Sequence, residues 1–351
     1  MANSSNGKIQ VAVLGASGYS GAETLRLLLA HPQVRIQALT ADRKAGAPIG
    51  EVFPQLDGYG LPDLQKIEDL DWDRIDAVFC ALPHGTTQEV IAALPKDKKV
   101  LDLSADFRLR DVEAYATWYG HAHRAPDLQE SAVYGLTEFA REAIAAARLI
   151  ACPGCYPTSA LLPLVPVLER GVIRTDDVII DSKSGVSGAG RALKESSLYA
   201  EVAEGVHAYG IAAHRHGPEI EQELSGAAGR PMAVTFTPHL IPMNRGILST
   251  IYVRLADGAG VEDLRAALAE RFEGEPFVRL LSQGQAPQTR HVRGSNNALI
   301  GVFADRVPGR ALLLCAIDNL VKGAAGQAVQ NFNVMHGLEE TAGLALAPVF
   351  P

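Results

Sequence analysis

The chain has 351 residues, a formal net charge of −8, 47% hydrophobic and 21% charged residues. That composition belongs to a compact globular protein and excludes disorder and collagen-like repetition. At this length a single core has usually stopped growing, so two domains are expected. The acidic balance argues against a nucleic-acid partner and leaves any anion site to be built locally from Arg, Lys and helix N-termini, and four cysteines in so long a chain do not make a disulfide scaffold.

The start reads as a short polar arm running into a strand, without the basic flank and cleavable apolar core of an export signal. The apolar runs are strand-sized or broken by charge and Pro, below the ~18 residues of a bilayer span. A soluble, cytoplasmic protein with no membrane partner is expected.

Over the first 150 residues, short β-branched runs alternate with helical stretches. Residues 9–14 form a strand, and residues 20–30 set Leu25, Leu28 and Leu29 on one face of a helix. Residues 34–40, 77–82, 100–103 and 148–151 read as further strands, with helical material at 85–93. Apolar runs without alternation suit parallel strands covered on both faces. After Gly154 a helix is expected over 158–170, then a strand over 178–182 and a Gly-rich stretch over 185–190. Strands at 233–237, 247–255, 298–304 and 311–317, with a helix at 261–271, complete the second part. The fold class is therefore α/β: a Rossmann-type dinucleotide-binding domain plus an α+β domain with a mixed or antiparallel sheet. The tail from 319 to 336 is helical, with a stripe of Leu320, Ala324, Ala328 and Val329. It is either a terminal cap or an element returned to the first domain.

Gly15-Ala16-Ser17-Gly18-Tyr19-Ser20-Gly21 lies between the first strand and the first helix. Gly15 suits a tight turn, Gly18 lets a pyrophosphate approach the backbone, and Gly21 lets helix and strand pack closely. The phosphates would then meet N–H groups at a helix N-terminus. The spacing is GxxGxxG rather than GxGxxG, and a purely structural turn is the alternative. At the end of the second strand, Asp42 would bond a ribose hydroxyl and favour NAD, whereas Arg43 and Lys44 would hold a 2′-phosphate. Two cations beside one anion point to NADP.

Cys152-Pro153-Gly154-Cys155 follows an apolar strand and opens a helix. A thiol there would see N–H groups and the positive helix end, which favour the thiolate that attacks an activated carbonyl. A redox CxxC pair competes on spacing alone, and Cys80 and Cys315 lie in apolar runs. His214-Arg215-His216-Gly217-Pro218-Glu219 is the densest polar cluster and reads as a loop. One imidazole would serve as acid and base, the guanidinium as a clamp for carboxylate or phosphate, and HxH as half of a metal site in a competing reading. Residues 184–191 offer an anion nest ending in Arg191. Arg108, past the Asp102–Asp106 strand end, faces a cleft or pairs with Asp106 at the surface.

Together with residues 81–85, 103–108, 134–136, 153–158 and 318–324, these motifs make nearly the whole chain resemble the N-acetyl-gamma-glutamyl-phosphate reductases of arginine biosynthesis, within the group that includes aspartate-semialdehyde dehydrogenase. The resemblance implies an NADP-binding domain over 1–153, a catalytic and oligomerisation domain over 154–318, and a C-terminal helical segment over 319–351 that returns to the first domain. It also implies Cys155 as nucleophile, with His216 as acid–base while His214 stays a rival. Arg108, His214, Arg215 and Glu219 would bind the acyl phosphate substrate. The cofactor NADPH would meet Gly15, Ser17, Gly18, Tyr19, Ser20, Gly21, Arg43, Lys44, His84, Ser187, Gly188 and Asn319. No metal is implied, and a homodimer or homotetramer is. The family motif often has Asn where this chain has Cys152. Two other readings stay open: a reductase of the one-carbon-longer N-acetyl-aminoadipyl phosphate of lysine biosynthesis, and a non-catalytic dinucleotide-binding redox sensor.

Overall fold

The computed structural model describes residues 7–351, so most of the expected polar arm, residues 1–6, lies outside the described residues. Its contacts separate two compact units. One runs through Cys152 and takes in Ala325–Ala345; the other comprises Pro153–Ala324 and Leu346–Pro351.

The first unit is built on a seven-stranded sheet of β1 (Ile9–Leu14), β2 (Val34–Thr40), β3 (Leu64–Gln65), β4 (Ala77–Cys80), β5 (Lys99–Asp102), β6 (Val133–Tyr134) and β7 (Leu149–Ala151). The strand order is β3-β2-β1-β4-β5-β7-β6 and every pairing is parallel. This is the doubly wound arrangement, whose order reverses between β1 and β4 and so leaves a crevice at their carboxyl ends. All of β4 and the last four residues of β1 are buried, as expected of strands covered on both faces. The helix Tyr19–Leu29 buries Leu25, Leu27 and Leu28 and leaves Leu29 only partly covered, a wider face than the sequence period implies. The reason is a second neighbour: this helix packs on β2 and also on the helix Gly326–Met335.

That late helix is held by polar side chains. Thr137 Oγ1 donates to Asn331 Oδ1 at 2.6 Å, Asn331 Nδ2 to the Gly135 carbonyl at 2.8 Å, and His31 Nε2 lies 2.8 Å from Asn333 Oδ1. Arg141 forms a two-pronged pair with Glu340 at 2.8 and 2.9 Å. The expected continuous helix over 319–336 is divided: Val321–Ala325 is π-helical and only Gly326–Met335 is α-helical.

In the second unit a mixed sheet combines β8 (Ile179–Gly185), β9 (His207–Ala208), β10 (Thr235–Ile241), β11 (Ile247–Arg254), β12 (Val278–Leu280), β13 (Ala298–Ala304) and β14 (Arg310–Ile317) in the order β12-β13-β14-β11-β8-β10-β9. Alternation is clean along β11. Ile247, Ser249, Ile251 and Val253 of β11 are buried, whereas Ile179, Thr250, Tyr252, Leu312 and Leu314 on the opposite face are partly exposed. The helix Cys155–Glu169 covers the buried side, packed on β11 and β14 and against the helices His216–Ala228 and Val261–Arg271. Buried hydroxyls of Ser159, Ser249 and Ser182, each 2.7 Å from the next, join helix to sheet. No described helix is long and apolar enough to cross a membrane.

Burial holds the His336 imidazole down to about 4, helped by the Lys99 ammonium, and burial also lowers His31. Each takes a proton more readily when unfolded, so the His336 stabilisation is complete above pH 6.5 and is lost as pH falls toward 4, and His31 acts in the same direction. Urea denaturation of the wild type and His336→Gln should therefore show a stability difference that shrinks between pH 7 and pH 5. A difference that grew with acidification would reverse the sign assigned here.

Candidate active site

In the first unit the glycine turn lies at the carboxyl end of β1. Gly15 has φ +76°, and a Cβ there would fall 2.5 Å from the Ala81 carbonyl oxygen, so both conformation and space demand glycine. A Cβ on Gly21 would meet the Gly15 carbonyl oxygen at 2.5 Å, because helix and turn touch directly. Gly18 is different: it has φ −89°, and the nearest atom to an added Cβ is 3.6 Å away. The protein itself does not need glycine at 18, which fits a backbone that a dinucleotide pyrophosphate must approach at the start of the Tyr19–Leu29 helix. Ser17 and Ser20 are partly buried around this turn, Tyr19 is exposed, and Arg43 and Lys44 are exposed in the turn after β2.

Asp106 organises the loop after β4. Its buried carboxylate accepts the Gly85 N–H at 2.8 Å, the Thr87 N–H at 3.1 Å, the Thr87 hydroxyl at 2.6 Å and the Tyr115 hydroxyl at 3.2 Å. His84 is exposed on that loop, and its Nδ1 accepts the Ala105 N–H at 3.0 Å. Arg108 is buried rather than at the surface. Its Nε donates to the Cys152 carbonyl at 2.8 Å and its Nη2 to the Leu103 carbonyl at 3.1 Å. Cys152 is fully buried and its thiol is pushed up to about 12, by burial first and then by the Asp102 carboxylate. An exchange thiol needs the opposite, so the redox CxxC reading loses its physical basis. Cys80 and Cys315 are also fully buried.

In the second unit Cys155 is the first residue of its helix, which starts three residues earlier than the sequence pattern implies. Pro157 causes no break because first-turn amides have no partner inside the helix. Gly154 is extended at the N-cap, and its N–H donates to Glu219 Oε1 at 2.8 Å. Glu219 is 1% exposed and lies in the first turn of the helix His216–Ala228, so one carboxylate ties together the starts of two helices. The segment read as a loop from its Gly-Pro pair is thus helical from His216 onward, with Pro218, like Pro157, in the third position.

The two imidazoles converge, with ring centroids 4.8 Å apart, while Arg215 is exposed. Tyr156 stands edge-on to both, at 5.6 Å from His214 and 5.8 Å from His216. Asn319 orients the remaining loops: its Oδ1 accepts the Gly246 N–H at 2.7 Å, and its Nδ2 donates to Ser187 Oγ at 2.9 Å. Gly188 lies alongside, its added Cβ 3.7 Å from Asn319 Nδ2. The stretch 184–191 is not an open anion nest. The amides of Gly185, Val186, Ser187 and Gly190 already donate to the carbonyls of Gly246, Met243, Asn244 and Ser187.

Sequence reasoning did not assign Asp106, Asp318 or Gly323. Asp318 is fully buried and accepts the N–H groups of Leu320 and Gly294 at 2.8 and 2.7 Å. A Cβ on Gly323 would sit 2.7 Å from the Cβ of Cys155, so the π-helical turn passes directly against the cysteine. Both lie in the 318–324 motif, which was their only sequence signal.

One unit with a parallel dinucleotide-type sheet and another with a mixed sheet that carries Cys155 and paired histidines define a semialdehyde dehydrogenase. The semialdehyde dehydrogenase NAD binding domain matches residues 10–147, and the dimerisation domain of the same family matches 155–319. Aspartate semialdehyde dehydrogenase II from Vibrio cholerae, complexed with ASA, has the same fold, with a TM-score of 0.70 at 19% identity over 94% of this chain and 98% of that one. Aspartate semialdehyde dehydrogenase with NADP from Candida albicans aligns with a TM-score of 0.69 at 19% identity, over 94% and 98% of the two chains. More narrowly, the chain belongs to the N-acetyl-gamma-glutamyl-phosphate reductase family. It is 61% identical to the Rhodospirillum rubrum protein of that name over 98% of this chain and 99% of that one. It is 55% identical to a probable chloroplastic form from Arabidopsis thaliana over 98% and 86%.

The Glu219 tie has a measurable consequence. Glu219→Ala strands the buried Gly154 N–H and should cost roughly 1–3 kcal/mol of stability, with turnover falling more than NADPH affinity. Glu219→Gln keeps an acceptor at the same place and should recover most of the stability. Equal denaturation midpoints for wild type and Glu219→Ala would remove the tie from the account.

Proposed function

We propose that the protein reduces N-acetyl-L-glutamyl 5-phosphate to N-acetyl-L-glutamate 5-semialdehyde and phosphate with NADPH, as a step of arginine biosynthesis. The observation that carries this reading is Cys155 at the head of a helix tied through Glu219 to the helix that begins at His216, in a chain 61% identical to a reductase of that name. We assign NADP to the first unit, with Gly15, Ser17, Gly18, Tyr19, Ser20 and Gly21 around the pyrophosphate and Arg43 and Lys44 on the 2′-phosphate. His84, Ser187, Gly188 and Asn319 complete the cofactor contacts.

The Cys155 thiolate attacks the acyl phosphate carbonyl carbon, the carbon–oxygen bond to phosphate breaks, and a thioester remains. The thioester carbon would then accept the hydride that NADPH, held by these residues, would supply. His216 donates a proton to the carbonyl oxygen, giving a thiohemiacetal, and takes it back as the carbon–sulfur bond breaks to release aldehyde and thiolate. Arg215, exposed beside the histidines, serves as the substrate clamp; Glu219 holds the Gly154 amide, and in the first unit Arg108 holds the Cys152 carbonyl. The partly exposed sheet face around Ile179, Tyr252, Leu312 and Leu314 lies within the segment matched as a dimerisation domain and supports a homodimer or homotetramer. We place the enzyme in the cytoplasm.

Incubation with the acyl phosphate in the absence of NADPH should leave an acyl adduct on Cys155 detectable by mass spectrometry. Cys155→Ala should abolish turnover, Cys152→Ala should retain it, and His216→Asn should lose roughly 100-fold or more, the range for a positioned acid–base. Full turnover by Cys155→Ala is incompatible with the mechanism. The one-carbon-longer acyl phosphate, offered in competition, separates the arginine from the lysine substrate.

Charge-assisted bonds from a guanidinium to the 2′-phosphate have no counterpart in NADH. Arg43→Ala should therefore weaken NADPH binding far more than NADH binding. Equal dissociation constants for the two cofactors in the wild type would transfer the choice to Asp42 or another residue.

A further inference from the structure

We infer that His214 is a positioning residue rather than a proton donor: it fixes the head of the His216–Ala228 helix by accepting the His216 N–H from inside a box of aromatic rings. This rests on the reading of His216 as the acid–base and adds a separate task for its neighbour.

The contact is His216 N–H to His214 Nδ1 at 3.1 Å. A ring nitrogen accepts a hydrogen bond only through its lone pair, so the imidazole is neutral with its proton on Nε2. The amide it serves is the first of the helix, one of those with no partner inside it. Arg215, at the N-cap position, has no side-chain cap bond. The imidazole one residue earlier performs the capping task instead.

The ring is held edge-on by three aromatic side chains from separate parts of the unit. Tyr156 of the Cys155 helix stands 5.6 Å away, Tyr209 beyond β9 stands 5.4 Å away, and Phe236 of β10 stands 5.5 Å away. The Tyr156 and Tyr209 hydroxyls are 2.9 Å apart, which joins two walls of the box. Turning the imidazole would displace these rings, each in a favourable edge-to-face geometry. The titratable rings that pack on it are those of His216, Tyr156 and Tyr209, and the Arg215 charge acts on it. Burial and the Arg215 charge hold His214 down to about 4, in agreement with the geometry. A general acid gains and loses a proton in every turnover, and protonation at Nδ1 would break the His216 cap each time.

The test compares His214→Asn, whose Oδ1 can replace Nδ1 as acceptor, with His214→Leu, which fills the box without an acceptor. Turnover at saturating acyl phosphate, its KM and the NADPH dissociation constant are measured beside His216→Asn. His214→Asn should keep more than about a tenth of wild-type turnover, because asparagine cannot act as the acid but can hold the amide. His214→Leu should lose roughly tenfold or more in turnover with NADPH binding unchanged, the scale of a lost buried hydrogen bond. A larger than tenfold loss in His214→Asn overturns the inference, as does wild-type turnover in His214→Leu. If circular dichroism shows His214→Leu unfolded, the asparagine variant decides by the same threshold. Full turnover by His216→Asn would instead sink the acid–base reading, a result distinct from either His214 outcome.

Discussion

The buried hydrogen bond between the Glu219 carboxylate and the Gly154 amide ties together the starts of the two helices that carry Cys155 and His216. Cys155 is one residue beyond the donor and His216 three residues before the acceptor, each at the first position of a long helix. Long helices packed side by side are stiffer than loops, so the separation of thiol and imidazole is inherited from helix packing. A charged acceptor makes such a bond shorter and stronger than a neutral pair, and burial makes its loss costly.

The same device recurs. Asp106 gathers two backbone amides and two hydroxyls at the loop after β4, and Asp318 gathers amides from its own turn and from Gly294. Asn319 does similar work with an uncharged amide, joining Gly246 to Ser187. Loops near the proposed chemistry are therefore shaped by side chains that have withdrawn from solvent. This is why so many polar residues are buried: Asp102, Ser104, Asp106, Glu219, Asp318 and Asn319 are each no more than 2% exposed.

The glycine turn was legible in the sequence because each glycine answers one steric demand: a left-handed turn at 15, an open approach at 18 and a close contact at 21. The parallel sheet was legible in its apolar runs, apart from β3 and β6, whose two residues carry no period. The helices that carry Cys155 and His216 both start earlier than their composition suggests: Pro157 reads as the opening of a helix and Pro218 as part of a Gly-Pro loop, yet both stand in the third helical position, where a missing N–H costs nothing. Residues 184–191 misled in the opposite direction, since a glycine-rich run does not reveal whether its amides are already engaged. Glu219 drew attention for its charge, but that its partner is a backbone amide 65 residues away is visible only in three dimensions.

The division of the chain also has a consequence for how it is made. The second unit is almost continuous, so nearly all of it has been synthesised by the time Ala324 is added. The first unit is begun first and completed only after nearly all of the second has been made, because Gly326–Met335 packs on the helices Tyr19–Leu29 and Thr137–Ala146 and on β5. Phe79 waits for Phe332, whose ring comes to lie 5.4 Å from its own, and Gly135 waits for Asn331. For most of translation the sheet that begins the protein therefore stays incomplete along one apolar flank, exposed to whatever else in the cell seeks such a surface.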